Sequence, residues 1–339
     1  MAARSEAEDS RPRATTQKAT TQKATAKGVD VAALLDPELR PAFADFELPP
    51  LDERVLTTLR AGAFPSPDPS DAVARSEHAV PGDPPVPVRV YRAVDAAGPR
   101  PAVLTIHGGG YILGSYDMDG ALLDRWCTEQ GIVGISVEYR LAPEAPYPGP
   151  LEDCYAALRW THEHAEELGV DPARLGLYGV SAGGGLAAGL ALLARDRGEV
   201  PLAFCILDCP MLDDRQATPS IGASGLYVWD AGANEFGWRS YLGEHYGSDE
   251  LPPYAAAARA ADLAGLPPTY VVVGAIDGFR DEDIGYAQRL NQAGVPCELH
   301  VIAGMPHAYQ LAPDSAAVQL ATRCVDDWLA RRLTQIAGS

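Results

Sequence analysis

One stretch of the chain, Gly179-Val180-Ser181-Ala182-Gly183, has the residue types and spacing to present a nucleophile. It follows the apolar run Leu175–Tyr178 and opens the helical pattern Ala182–Arg197, the strand–turn–helix context a G-x-S-x-G elbow requires. The small residues leave room for a sharp turn that lifts the Ser181 hydroxyl clear of the backbone. The helix N-terminus beneath it favours negative charge. A tight turn with an incidental serine is the alternative. A dinucleotide-binding reading of Gly183-Gly184-Gly185 fails, because the next glycine, Gly189, is one residue too far and the glycines lie inside the helix.

A second stretch, His107-Gly108-Gly109-Gly110-Tyr111, follows the apolar run Ala102–Ile106. Consecutive glycines expose backbone N–H groups at a sheet edge, and acyl transfer needs such donors about 3 Å from a developing oxyanion. A flexible glycine loop is the alternative, weakened by the elbow further along. A general base is then sought among seven histidines. His162 and His164 are two apart on a helix and face different sides. His300 lies in a strand, His78 and His245 in peripheral regions, and His107 heads the glycine loop. His307 remains, directly after the last strand and late in the chain, as the order Ser, acid, His demands. The acid belongs at the end of the preceding strand, Tyr270–Val273, which selects Asp277; Asp281 follows, and Asp283 reads as the cap of the next helix.

The elements that must position these residues alternate. Strand-like runs occur at 86–91, 102–106, 132–137, 175–178, 204–207, 270–273 and 298–302, and helical runs at 122–130, 151–168, 182–197, 283–293 and 315–333. Short apolar strands between amphipathic helices indicate an α/β fold, a mostly parallel sheet covered on both faces. Residues 1–28 are polar, with six basic and three acidic side chains and a short repeat, and are expected to be a disordered tail. Residues 29–65 carry short helical patterns broken by prolines. The aromatic-rich stretch 211–253 interrupts the rhythm as an insertion.

Composition narrows the chemistry. The net charge of −19 argues against nucleic acid and against docking on anionic lipid. The three lysines, Lys18, Lys23 and Lys27, all lie in the tail, which excludes any mechanism needing an active-site lysine in the folded part. Six cysteines without a C-x-x-C pair read as reduced core residues. Neither an N-terminal apolar h-region nor an apolar run of about 18 residues appears, so a cytoplasmic enzyme is expected.

The chain resembles the hormone-sensitive lipase family of α/β-hydrolases, the bacterial carboxylesterases with a His-Gly-Gly-Gly motif. The resemblance rests on His107-Gly-Gly-Gly110, on Tyr139-Arg-Leu-Ala-Pro-Glu144 with Pro146, Pro148 and Glu152-Asp153, and on Ser181-Ala-Gly-Gly184, Asp277 and His307. It covers roughly residues 80–333. It implies the α/β-hydrolase fold with a small helical cap: a cap segment over 29–75, and a catalytic domain over 76–339 with a cap insertion at about 211–253. It implies ester hydrolysis through an acyl-enzyme, with Ser181 as nucleophile, His307 as base and Asp277 orienting it, and no metal or organic cofactor. Gly109, Gly110 and Ala182 would donate to the oxyanion, with Gly108 in reserve.

Tyr111, Tyr227 and Trp229 are expected to line the substrate pocket, or else to pack the cap. The small cap without a long apolar lid points to short- to medium-chain acyl esters as substrates. Two departures stand out: Val180 replaces the usual Asp or Thr before the nucleophile, and Gly278-Phe279 follows the acid where Pro-Leu is usual, which is expected to loosen that loop. An amidase or deacetylase with the same triad, and a non-catalytic ligand-binding relative, are the rival readings. The strand 297–302 should lie at a sheet edge, and a homodimer through it and the following helix is expected, against a monomer whose edge is shielded.

Overall fold

Eight strands form one sheet in the order β1-β2-β4-β3-β5-β6-β7-β8. They are β1 (Val73–Val80), β2 (Val86–Ala93), β3 (Arg100–Ile106), β4 (Val133–Val137), β5 (Val170–Val180), β6 (Phe204–Asp208), β7 (Thr269–Gly274) and β8 (Cys297–Ile302). The computed structural model describes residues 30–44, 46, 48–62 and 70–337. The tail expected at 1–28 lies outside the described residues. Pairing is antiparallel between β1 and β2 and between β2 and β4, and parallel from β4 through to β8. The central strands β4, β6 and β7 are buried along their whole length, as strands covered on both faces must be.

The strand β1 has no counterpart among the runs picked out by apolar patterning. Its sequence, Val-Ala-Arg-Ser-Glu-His-Ala-Val, is fully buried only at its two ends, because it is an edge strand. Its eight residues pair with β2 throughout, so a division between residues 75 and 76 falls inside a strand.

The helices are α1 (Arg40–Phe43), α2 (Glu53–Ala61), α3 (Gly120–Glu129), α4 (Gly149–Glu163), α5 (Ala165–Leu168), α6 (Ala182–Arg197), α7 (Ala231–Leu242), α8 (Arg280–Gln292) and α9 (Ala316–Ala337). The helix expected over 151–168 is two, because His164 leaves α geometry at φ −105° and ψ 21°. One face of the sheet carries α4, α6 and α8, and its core runs on into the insertion through Trp229, Trp238 and Tyr241. The other face carries α3 and α9, together with Val31, Leu35, Leu39 and Phe43 of the N-terminal segment. The edge strand β8 lies where expected, with Val301 39% exposed.

Arg60 is one of the ties that fasten the segment before β1 to the body. Its guanidinium donates to the carbonyls of Ile112 (2.8 Å) and Ala142 (2.6 Å) and pairs with Glu144 (2.7 Å). Helix α2 is thereby held against both the glycine loop and the Tyr139–Glu144 motif.

Candidate active site

Ser181 sits at the junction of β5 and α6 with φ 57° and ψ −121°, a conformation that costs a non-glycine residue about 1–3 kcal/mol and must be held by its surroundings. Two neighbours explain how. A Cβ on Gly179 would come within 2.2 Å of the Gly183 carbonyl, and one on Gly183 within 2.0 Å of the Ile106 carbonyl. The backbone closes this tightly only because both are glycine. Ser181 N–H donates to Asp208 O (2.8 Å), and Ser181 O accepts from Met211 N (2.9 Å), tying the elbow to β6.

The Ser181 hydroxyl donates to His307 Nε2 at 2.9 Å, and His307 Nδ1 donates to Asp277 Oδ2 at 2.8 Å. All three side chains are buried. The structure therefore brings together the three residues singled out as nucleophile, base and acid, from three separate strand ends. Asp277 Oδ1 also accepts from Phe279 N–H (2.9 Å), and the Phe279 ring stands edge-on to His307 with centroids 5.1 Å apart. Gly278-Phe279 thus does not loosen the acid loop: the Asp277 side chain closes the turn itself, and Phe279, 1% exposed, braces the imidazole. Ser220 of the insertion adds a strap, its hydroxyl donating to Gly278 O (2.7 Å) and its N–H to Asp281 Oδ2 (2.9 Å).

Asp283 is no helix cap. It lies inside the first turn of α8, fully buried, and among the described residues neither of its carboxyl oxygens has a hydrogen-bond partner. Burial, with Glu282, Asp277 and Asp208 nearby, raises its pKa well above the ordinary Asp range.

The glycine loop packs directly on the elbow. Gly109 has φ 115°, and a Cβ on Gly110 would collide with the Trp229 ring at 2.0 Å. His107 supports the loop from below. Its Nδ1 donates to Gly108 O (2.8 Å), its ring stacks on Tyr139 (4.2 Å), and Tyr139 Oη donates to His107 O (2.9 Å). Burial lowers the His107 pKa to about 4, so the ring is neutral near pH 7. Arg140, next in the motif, grips Asp153 with two hydrogen bonds of 2.8 Å. The Tyr139–Glu144 motif and its downstream carboxylate are therefore the scaffold of the glycine loop. At the start of α6 the Ala182 N–H is one of the amides a helix leaves without an internal partner.

Ser181 and His307 open into a cavity of about 690 Å³, within the range of small-molecule sites. Gly108, Gly109, Gly110 and Trp229 line it, and Phe46, Leu48 and Leu59 bring the N-terminal segment to its edge. Tyr111 and Tyr227 do not line it, contrary to expectation. Tyr111, at φ 66°, turns its ring onto Tyr241 (4.1 Å) and donates its hydroxyl to Met211 O. Tyr227 packs edge-on to Phe43 (5.6 Å) and reaches Ala32 O at 3.4 Å, so it fastens the N-terminal segment.

Two site neighbours went unrecognised in the sequence. Asp208, at the end of β6, accepts from Tyr309 Oη (2.6 Å), Gln310 Nε2 (3.0 Å) and Tyr178 Oη (3.1 Å), anchoring the loop that carries His307; burial raises its pKa. A charge closing an otherwise apolar strand at the sheet's C-terminal edge was the available signal. Cys209 follows it, buried with its thiol pushed towards the protonated form. Its sulfur lies within 4.8 Å of ligand atoms of Asp277 and His307. Those groups are spent on each other, and a cation there would have to displace the His307–Asp277 hydrogen bond.

Taken together, the parallel sheet, the strained serine elbow and the buried Ser–His–Asp contact chain define an α/β-hydrolase. The chain belongs to the family described as alpha/beta hydrolase fold, whose model matches residues 103–311. It is 39% identical to Esterase LipI of Mycobacterium tuberculosis over 210 residues, which are 62% of this chain and 65% of that protein, so the match spans just under two thirds of that relative. It is 37% identical to Carboxylesterase NlhH of the same organism over 226 residues, 66% of this chain and 71% of that one. Among solved structures it is similar to a bacterial heroin esterase, with a TM-score of 0.81 and 41% identity over 90% of this chain and 98% of that chain.

Proposed function

We propose that this chain is a serine carboxylesterase acting on short- to medium-chain acyl esters. The observation that carries the reading is the contact chain Ser181–His307–Asp277 opening into a largely apolar cavity. His307 takes the proton of Ser181 as the hydroxyl attacks the ester carbonyl, then gives it to the departing alcohol. Asp277 holds the imidazole and stabilises its cation. The N–H groups of Gly109, Gly110 and Ala182 receive the oxyanion, with Gly108 in reserve. Water then attacks the acyl-enzyme by the same proton route. No step calls for a metal or cofactor. The names of the similar proteins, esterase and carboxylesterase, favour the ester over the amide reading.

The same proposal covers organisation and setting. The described residues of 30–62, with the insertion at about 211–253, form the cap of the catalytic domain. No helix among the described residues is long and apolar enough to cross a membrane. Six unpaired cysteines suit a reducing compartment, the cytoplasm. The exposed edge β8 pairs with its own copy in a two-fold dimer. Light scattering at micromolar concentration tests this: Val301→Lys should dissociate the dimer, and a monomeric wild type contradicts it.

Hydrolysis of p-nitrophenyl esters from acetate to palmitate, beside matched anilides, tests the activity. Esters up to about C8 should turn over, with a steep fall beyond about C10. Ser181→Ala should cost roughly 10⁴–10⁶ in kcat with an unchanged melting temperature, and Asp277→Asn about 10⁴. Asp281→Asn should do much less. Preferential anilide turnover, or a Ser181→Ala protein keeping a tenth of the activity, refutes the reading.

A further inference from the structure

Among the residues lining the cavity at Ser181 is Cys209, which no step of the ester reaction uses. It follows the last residue of β6 and stands at φ 40°, a left-handed conformation that a non-glycine residue keeps only when its surroundings hold it. Its N–H donates to Val272 O of β7 at 2.7 Å, which fixes the backbone that carries the thiol. The Cys209 sulfur, a ring nitrogen of His307 and a carboxylate oxygen of Asp277 all lie within 4.8 Å of one another, and all three residues are buried. Thiolate, imidazole and carboxylate are the donor types that zinc takes from proteins. Bound to one ion at about 2.0–2.3 Å, such atoms stand roughly 3–4 Å apart, so a modest side-chain motion closes the set. A second observation points the same way. Asp283 is 0% exposed, neither of its carboxyl oxygens is hydrogen-bonded among the described residues, and it acts electrostatically on both Cys209 and Asp277. A buried carboxyl with no partner to give up adds to the pull on a cation.

We propose that Cys209, His307 and Asp277 form an inhibitory site for a thiophilic divalent cation such as zinc. The place of one proton explains why binding inhibits. In the active arrangement His307 Nδ1 donates to Asp277, and Nε2 is free to accept from Ser181. A cation held by His307 and Asp277 takes the place of that hydrogen bond, bonding to Nδ1 and to an Asp277 oxygen. The ring proton then moves to Nε2, and the Cys209 thiol gives its proton to water, so one proton is released in all. With Nε2 protonated, His307 has no lone pair left for the Ser181 proton, and the nucleophile stays a hydroxyl. The two anionic donors cancel the charge of the ion, so no net charge is left buried in the cluster. Cys209 and His307 both line the cavity, so the ion enters by the route a substrate takes. Magnesium and calcium, which call for about six or more oxygen donors, do not suit this set. Binding stands apart from the esterase reading above; inhibition rests on it.

Zinc chloride titrated against hydrolysis of p-nitrophenyl butyrate, in a non-chelating buffer, tests the inhibition. Wild type should lose activity reversibly, with recovery on adding EDTA. Cys209→Ser should need at least about tenfold more zinc for the same fractional loss. Each protein is compared with its own zinc-free rate, so a changed basal rate does not disturb the comparison. Magnesium and calcium should leave wild type active. Cobalt(II) gives a readout that needs no turnover. Its thiolate absorption should appear in wild type, persist in Cys324→Ser, whose thiol is half-buried on α9, and vanish in Cys209→Ser. Cys209→Ala serves if the serine variant does not fold. A wild type indifferent to zinc overturns the site, as does equal zinc sensitivity in the folded Cys209 variants or cobalt absorption that survives the loss of Cys209. A wild type that binds cobalt through Cys209 but hydrolyses no ester fails the esterase reading and upholds the cation site.

Discussion

The two faces of the sheet are built to opposite ends. On the α6 face every residue from Ala182 to Ala194 is buried, and the helix is pressed so close to β3 and β5 that glycine alone fits at Gly183. On the α3/α9 face a cavity of about 690 Å³ opens at Ser181, and the two helices are joined by Arg125 and Trp126 on Asp326. The Asp283 carboxyl, in the core of the α6 face, has no hydrogen-bond partner among the described residues, whereas Asp208, beside the cavity, has three donors from side chains. The filled face holds the strained Ser181 backbone still. The open face carries the polar anchors of the His307 loop and leaves space for a ligand. Rigidity and room are thus separated by the thickness of one sheet, and Ser181 sits where they meet.

Substitutions on each face sharpen or break this contrast. The largest effect is expected from Gly183→Val. Its new side chain would start 2.0 Å from the Ile106 carbonyl, so backbone must move. Overpacking of this kind costs about 1–3 kcal/mol or more, and chemical denaturation should show at least that loss together with collapse of activity. A stable, active Gly183→Val protein would mean the filled face has slack. Next comes Asp208→Ala, which strips Tyr309 and Gln310 of their anchor and leaves buried donors unsatisfied, at about 1–3 kcal/mol. It should also lower kcat about tenfold by freeing the His307 loop, without altering the oxyanion donors. Unchanged kcat would show that the loop needs no such anchor.

The smallest effect is the most diagnostic, because its sign is unusual. The raised pKa of Asp283 means that folding favours its neutral form. That contribution is fully present below the unfolded Asp value of about 3.9 and is lost as pH rises through the folded value. Wild-type stability should therefore decline from acid towards neutral pH on this account, as it does for Glu282 and Asp208, which are shifted the same way. Asp283→Asn removes one share of that slope. At pH 8 it should melt higher than wild type, with the gain vanishing near pH 4. A variant destabilised at every pH would mean that the Asp283 carboxylate is paired after all.

Much of the site was legible in the sequence because its backbone geometry admits few residues. A strained elbow and a loop pressed against it demand small side chains in a row, and those rows stand out at 179–183 and 108–110. The central strands were legible for a related reason: coverage on both faces leaves few polar positions. The edge strand β1 was not, since exposure frees its middle residues to be Arg, Ser, Glu and His. Tyr111 was misjudged because a left-handed turn at that residue, invisible in composition, sends the ring onto Tyr241. Asp208 and its partner Tyr309 lie 101 residues apart, and the cavity is a space where side chains are missing. Neither leaves a periodic mark.

In the proposed mechanism Ser181 is the residue that becomes acylated. Diethyl p-nitrophenyl phosphate reacts with an activated serine and stops at the phosphorylated enzyme, so the label can be located by peptide mass spectrometry. One diethyl phosphoryl group per chain on the peptide containing Ser181, with p-nitrophenol released in equal amount and no label on Ser181→Ala or on heat-denatured protein, is the result predicted. Label on another residue, or undiminished labelling of Ser181→Ala, would contradict it.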